Sequence, residues 1–191
     1  MLFRSGEDKI PGHFFSEDEQ PDESFLSQTC KLWEDAIQPV EELGLRSVKL
    51  RAGIVLSNEG GAFREFKKPL QFCVAAILGR GRQMISWIHI DDLCNCFIEA
   101  IENEHLSGSY NAVSPHPVTN KTLTIALAQQ LRRKNFIPIH IPAFVLKMML
   151  GEGSSELLKS VTASSSKIEA AGVTFLYPTI TSALQQLCEE K

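Results

Sequence analysis

The chain has 191 residues, 43% of them hydrophobic and 22% charged, which excludes chain-wide disorder, a collagen-like repeat and a scaffold held by disulfides alone. Nineteen Lys and Arg stand against 23 Asp and Glu, a net charge of -4, so neither nucleic acid nor an anionic membrane is expected as the main partner. The longest apolar stretches, such as 141–150, are interrupted by Pro142 and Lys147 and fall short of the roughly 20 residues a bilayer span needs.

In chain order, residues 1–22 carry Asp8, Glu17, Asp18, Glu19, Asp22 and two prolines without periodicity, and read as a loop or loose tail. A helix is predicted over 23–43, with Leu26, Cys30, Trp33, Ile37 and Val40 on one stripe and Gly44 as its stop. The apolar, β-branched run 47–56 is a buried strand. A second helix is predicted over 63–78, ended by the turn 79–82, and a short strand over 84–88. Asp91 is the expected N-cap of the next helix, which runs to 103. A strand over 109–113 precedes a helix capped by Thr119 or Asn120 and running to Arg133. Residues 136–141 are extended, short helices follow at 142–150, 155–160 and 165–171, and the chain closes with a helix over 180–190. Strands alternating with helices argue for an α/β fold with a partly parallel sheet.

Five cysteines, Cys30, Cys73, Cys94, Cys96 and Cys188, sit in apolar patterns and are odd in number, so they read as reduced, buried thiols. With no apolar h-region near Met1, a cytoplasmic, reducing compartment is the expectation. Cys94 and Cys96 point in different directions on a helix, and His89, Asp91 and Asp92 lack a further ligand at useful spacing, so no metal site is expected. Gly79-Arg80-Gly81 begins like a G-x-G-x-x-G loop, but Met84 stands where the third glycine belongs. The turn leaves Arg80 and Arg82 as a basic patch, either solvated or able to meet a phosphate or carboxylate. Neither G-x-S-x-G nor H-E-x-x-H occurs.

The string GRGRQMISWIHIDDLCNCFIEAIEN (79–103), followed by SGSYNAVSPHPVTN (107–120), resembles the C-terminal half of an extended short-chain dehydrogenase/reductase. LRAGIVLSNEGG (50–61) resembles the strand that precedes them there. The segments 141–152 and 165–180 are similar to the tail of the atypical NAD(P)-dependent epimerase-like subgroup, whose C-terminal domain has no assigned function. The resemblance covers roughly 14–188. It implies the C-terminal portion of a Rossmann-like fold, with 1–22 as tail, 23–135 as the second half of the Rossmann-like domain and 136–191 as the family-specific region.

The resemblance also implies chemistry. The glycine-rich G-x-x-G-x-x-G turn that holds the dinucleotide in such proteins occurs nowhere in this sequence. NADP(H), or NAD(H), is therefore expected to bind this chain alone weakly if at all. Val55, with Ile54 and Gly53, would present the second cofactor wall; these residues read equally as a plain buried strand. Arg51 would either reach ligand phosphate or pair with an acid. In the superfamily's Tyr-x-x-x-Lys pair, the Tyr transfers a proton and the Lys lowers its pKa. Aligning Glu34 with the acid that often follows puts Leu26 and Cys30 at those two positions, and neither can do that chemistry. Lys31 stands about 100° round the helix, and Ser27 reads as helix surface or as a replacement proton carrier. The catalytic residues are thus unassigned. Gln83, Trp87 and His89 would line a pocket for a small-molecule substrate, Trp87 as a stacking wall or as core, and His89 as loop support or proton carrier. Two functions stay open: an epimerase-like oxidoreductase using NADP(H), and a non-catalytic binding or regulatory protein of the same fold.

Overall fold

The computed structural model describes residues 13–20, 23–150 and 158–189, apart from the side chains of Leu26, Met149 and Leu150. The predicted helix over 23–43 is two helices, α1 (Phe25–Asp35) and α2 (Gln38–Glu42). Pro39 has no N–H to donate and its ring crowds the carbonyl four residues back, so the helix breaks at Ala36–Ile37. The strand over 47–56 is likewise two, β1 (Val48–Ala52) and β2 (Ile54–Leu56). β1 runs parallel to β6 (Gly108–Ala112), and β2 runs parallel to β5 (Trp87–His89). The chain changes partner at Gly53, whose N–H donates to Ala112 while the next N–H, of Ile54, donates to Ser86.

The helix expected over 63–78 ends early. α3 spans Ala62–Lys67, a 3-10 turn spans Pro69–Phe72, and β3 (Val74–Leu78) is a strand. Pro69 stops the helix, and Cys73, at φ 58, reverses the chain so that VAAIL runs parallel to β8 (Ile137–Ile141). β4 (Met84–Ile85) pairs antiparallel with β7 (Val118–Thr119). Thr119 caps α5 (Asn120–Arg132) by accepting the N–H of Thr122. α4 (Ile90–Glu102), α6 (Ala143–Leu150), α7 (Ser166–Ala170) and α8 (Ile180–Glu189) complete the described elements. Of the helix expected at 155–160, residues 155–157 lie outside the described residues, and Lys159 and Ser160 are not helical.

Two apolar cores lie on opposite faces of the strands. Trp87 and Leu56 face one, with Phe63, Leu123, Leu127 and Leu184. Ile88 faces the other, with Cys96, Ala112 and Ile168, and Val48, Leu50 and Val55 pack against it. Leu50 and Val55 share a face although five residues apart. That odd spacing marks a bulge-like slip at Gly53.

Residues 13–20, expected as loose tail, are pinned. The Phe15 N–H donates to Thr162, Ser164 donates back to the Phe15 carbonyl, and Glu17 is buried. The helical stripe is less buried than its spacing predicts. Cys30 is buried, but Trp33 is 60% exposed and Ile37 and Val40 are also open, because no described element covers that face. The thiols are free; Cys30 and Cys96 are buried, whereas Cys73 and Cys94 are exposed, contrary to their expected burial.

Candidate functional site

Parallel pairing of β3 with β8 brings two distant loops together at the carboxyl ends of both strands. Between them opens a cleft of about 620 Å³, lined by Arg80, Arg82 and Gln83 on one side, His140 and Pro142 on the other, and Leu158 and Ser160 beyond. The loop 79–83 is rigidly held. Asn120 accepts the Leu78 N–H through its side chain (2.9 Å) and donates its own N–H to the Gln83 carbonyl (2.9 Å). Gln83 Nε2 donates to the Leu78 carbonyl at 3.2 Å, closing the loop on itself. Gly81 has φ 69, and a Cβ there would strike the Ile77 side chain and sit 2.9 Å from Lys121 Cβ, so only glycine fits. His140 donates from Nδ1 to the Gly79 carbonyl at 2.9 Å, which makes Nε2 its second functional nitrogen.

Of the three residues expected around a substrate pocket, Gln83 lines this cleft. Trp87 and His89 are fully buried and do not line it. Trp87 donates its indole N–H to the His116 carbonyl at 3.0 Å. His89 occupies the N-cap position assigned from sequence to Asp91: its Nδ1 accepts the Asp91 N–H at 3.1 Å. The proton is therefore on Nε2, which donates to Gln186 Oε1 at 2.9 Å. An imidazole acceptor can replace the usual Asp or Ser cap, which the residue-type preference at N-caps does not anticipate.

At the other expected wall, Ile54 and Val55 are the first and middle residues of β2 and are half-buried. Gly53 does permit a close approach, and the group that approaches is protein: a Cβ would lie 2.6 Å from the Ser86 carbonyl oxygen and 3.0 Å from Val113. The donors of Arg51 are engaged within the chain. Nε and Nη2 grip both oxygens of Glu34 at 2.7 and 2.8 Å, and Nη1 donates to the Glu17 carbonyl at 2.8 Å. On α1, Cys30 and Ser27 are buried and Lys31 is exposed. Ser27, read from sequence as helix surface, instead tucks in as the partner of the Ser24 N-cap. Cys30 faces a groove of about 240 Å³ between α1 and β1, with Trp33, Glu34 and Arg51.

Sequence reasoning missed the residues that join the C-terminal segment to the sheet. Asp92 is buried and accepts the N–H groups of Leu176 (2.6 Å) and Tyr177 (3.1 Å). Burial raises its carboxyl above the ordinary value, although both N–H donors pull the other way. Ser114 donates to the Pro178 carbonyl at 2.7 Å, Asn58 to the Leu187 carbonyl at 2.8 Å, and the Tyr177 ring lies 4.1 Å from that of His89. These partners are 64 or more residues apart, so no spacing rule reveals them. Among the described residues no cluster of three His, Cys, Asp or Glu could hold a metal, and no helix is long and apolar enough to cross a membrane.

Known proteins resemble this chain in sequence and in fold. Residues 141–187 match the Domain of unknown function (DUF1731). The epimerase family protein YfhF of Bacillus subtilis (strain 168) is 36% identical over 178 residues, covering 93% of this chain and 58% of its own length. Human epimerase family protein SDR39U1 (isoform 2), solved with NADPH, has a TM-score of 0.84 at 28% identity, covering 94% of this chain and 61% of that one. A nucleoside-diphosphate sugar epimerase from Corynebacterium glutamicum has a TM-score of 0.78 at 29% identity, covering all of this chain and 36% of that one. The chain thus spans little more than half the length of the curated relatives it matches.

Parallel strands with helical crossovers and this run of similar structures define a Rossmann-like α/β protein of the extended short-chain dehydrogenase/reductase class. Within that class the chain belongs to the epimerase-like family whose C-terminal segment is the domain of unknown function.

Proposed function

We propose that this chain forms the second cofactor wall and the substrate side of an epimerase-like oxidoreductase that uses NADP(H). The observation that carries the reading is the switch of strand partner at Gly53. It sets Val55 in the middle of a short parallel strand, one residue before its carboxyl end, where the strands part, and open α/β sheets take their ligands beyond the carboxyl ends of such strands. The 28% identity to a human protein solved with NADPH supports the choice of cofactor. The fit is to one wall: Ile54 and Val55 offer backbone and an apolar surface, and the chain has no glycine-rich turn for the pyrophosphate. When bound, the nicotinamide would supply hydride transfer. This chain's contribution would be to seat it against Val55 and to shape the cleft at Gln83 for a small-molecule substrate. Arg51 acts from behind, fixing α1 to β1 through Glu34.

The test joins this chain to the N-terminal half of the Bacillus subtilis relative and follows melting with added NADPH. Saturating cofactor should raise the melting temperature by about 5 °C, and Val55→Arg should remove the shift. No shift in the joined protein would overturn the reading.

A second reading, binding without catalysis, is favoured by α1: aligning Glu34 with the family's acid gives Leu26 and Cys30 the positions of the proton-transferring pair, and Cys30 is buried. Steady oxidation of NADPH with any carbonyl substrate would rule it out.

A further inference from the structure

β3 and β8 pair in parallel, and parallel sheets are ordinarily covered on both faces, because their crossover connections lay helices there. One face of this pair is covered. On it the register sets Ala75 and Ile77 of β3 beside Pro138 and His140 of β8; Ala75 and Ile77 are fully buried, and Ala75 shares a core with Leu123 and Leu127 of α5. Side chains alternate along a strand, so the opposite face is Val74, Ala76 and Leu78 beside Ile137, Ile139 and Ile141. All six are aliphatic and none belongs to an apolar core, and Ile137 and Ile139 are 65% and 42% exposed. The outer edge of β8 is closed to a further strand. The Ile137 N–H donates to the Cys73 carbonyl, toward β3, so the alternate residues Pro138 and His140 turn their backbone outward, and Pro138 has no N–H to give. What stays open is a face, which a helix fits and a strand does not.

Charge decides the kind of helix. Residues 66–90 and 105–150, which include both strands, hold nine Lys and Arg and no Asp or Glu, in a chain of net charge -4. Cations stand at both ends of the open face: exposed Arg133 and Lys134 ahead of β8, and exposed Arg80 and Arg82 beyond β3. A second copy laid face to face about a twofold axis would bring these like charges together. An apolar stripe with acidic flanks complements them. Each strand has five residues; that length runs about 17 Å, which about 11 residues of helix match. We propose that the open face of β3 and β8 docks an amphipathic helix with acidic flanks from a partner protein, which supplies on this side the layer that α5 supplies on the other.

The probe is a synthetic helical peptide of about 16 residues, with Leu at i, i+3, i+4 and i+7 and Glu on both flanks. Amide and methyl resonances of the full chain are followed as it is added. Saturable shifts at residues 74–78 and 137–141 are expected, with a midpoint that moves to higher concentration as salt is added. Ile139→Lys, at a position already open to solvent, should weaken binding about tenfold, and Lys134→Glu about threefold, with the other resonances in place. Equal binding by a scrambled peptide of the same composition or by one with Lys for each Glu, shifts that ignore both substitutions, or no saturable shift at about 1 mM peptide would each overturn the proposal. So would protection of the Ile137 and Ile139 methyls from a soluble paramagnet without peptide, in this chain or in the chain joined to the N-terminal half of the Bacillus subtilis relative, because the protein would then cover the face itself. Self-association that Ile139→Lys abolishes would give the face to a second copy. Binding to phosphatidylcholine vesicles containing phosphatidylserine, abolished by the same substitution, would give it to a membrane; either result overturns the partner helix.

Discussion

Single residues in this protein are most constrained where two backbones meet. At Gly53 any Cβ collides with the Ser86 carbonyl, which is itself bound to Ile54 and cannot retreat. Gly53→Ala should therefore lower stability by about 1–3 kcal/mol, read as a fall in the urea midpoint without a change in slope. Arg51 is 4% exposed and its guanidinium satisfies three acceptor atoms. Arg51→Ala leaves the Glu34 carboxylate and the Glu17 carbonyl without their donor and should cost about 3 kcal/mol; an unchanged midpoint would show that Glu34 simply turns to solvent. The thiols divide by burial. Burial pushes the Cys96 thiol up to about 12, so it stays protonated at pH 8. Maleimide should label the exposed Cys73 and Cys94 first, with Cys96 unreacted until the chain unfolds, as peptide mass mapping would show.

Among the elements, α4 is the joint between the sheet and the C-terminal segment. Its first turn holds His89, which caps it, and Asp92, which receives the backbone at 176–177. Asp92→Ala leaves two part-buried N–H groups without their acceptor and should cost about 1–3 kcal/mol. The pH dependence follows from the raised carboxyl. The folded chain holds the Asp92 proton to higher pH than the unfolded chain does, so this group favours folding most below its ordinary value of 3.8. That contribution is lost as pH rises through the folded value. Asp92→Asn cannot ionise and should flatten the stability profile across the acid range just above 3.8. The same elements show what a sequence can convey. Periodicity located α4, α5 and α8 within a few residues, because each has an apolar stripe and a clear start. It failed over 63–78, where an apolar run fits helix and strand alike and Pro69 with the left-handed Cys73 decides between them. It failed again at the cap, where the acceptor is a ring nitrogen and not a carboxylate.

For the whole molecule, the cleft is assembled by strand pairing across about 60 residues of sequence, from Gly79 to His140. Arg80 and Arg82 were legible as a basic patch, but their counterparts His140, Pro142 and Leu158 carried no local signal, since nothing in spacing announces which strands will lie side by side. The buried ties between the sheet and the segment 173–189 imply that the two are not separate folding units. Thermal unfolding followed by far-ultraviolet circular dichroism and by tryptophan fluorescence should give coincident transitions; two midpoints would show that the C-terminal segment melts on its own.

The parting of strands at Gly53 has a kinetic side. Below it β1 lies against β6; above it β5 is wedged between, taking Ile54 through the Ser86 carbonyl on one flank and giving the Trp87 carbonyl to Ser114 on the other. Neither seam can unzip while the wedge is seated. The amides of Ile54 and Ser114 should accordingly exchange with solvent in one shared opening event, at matching free energies, although they lie on different strands.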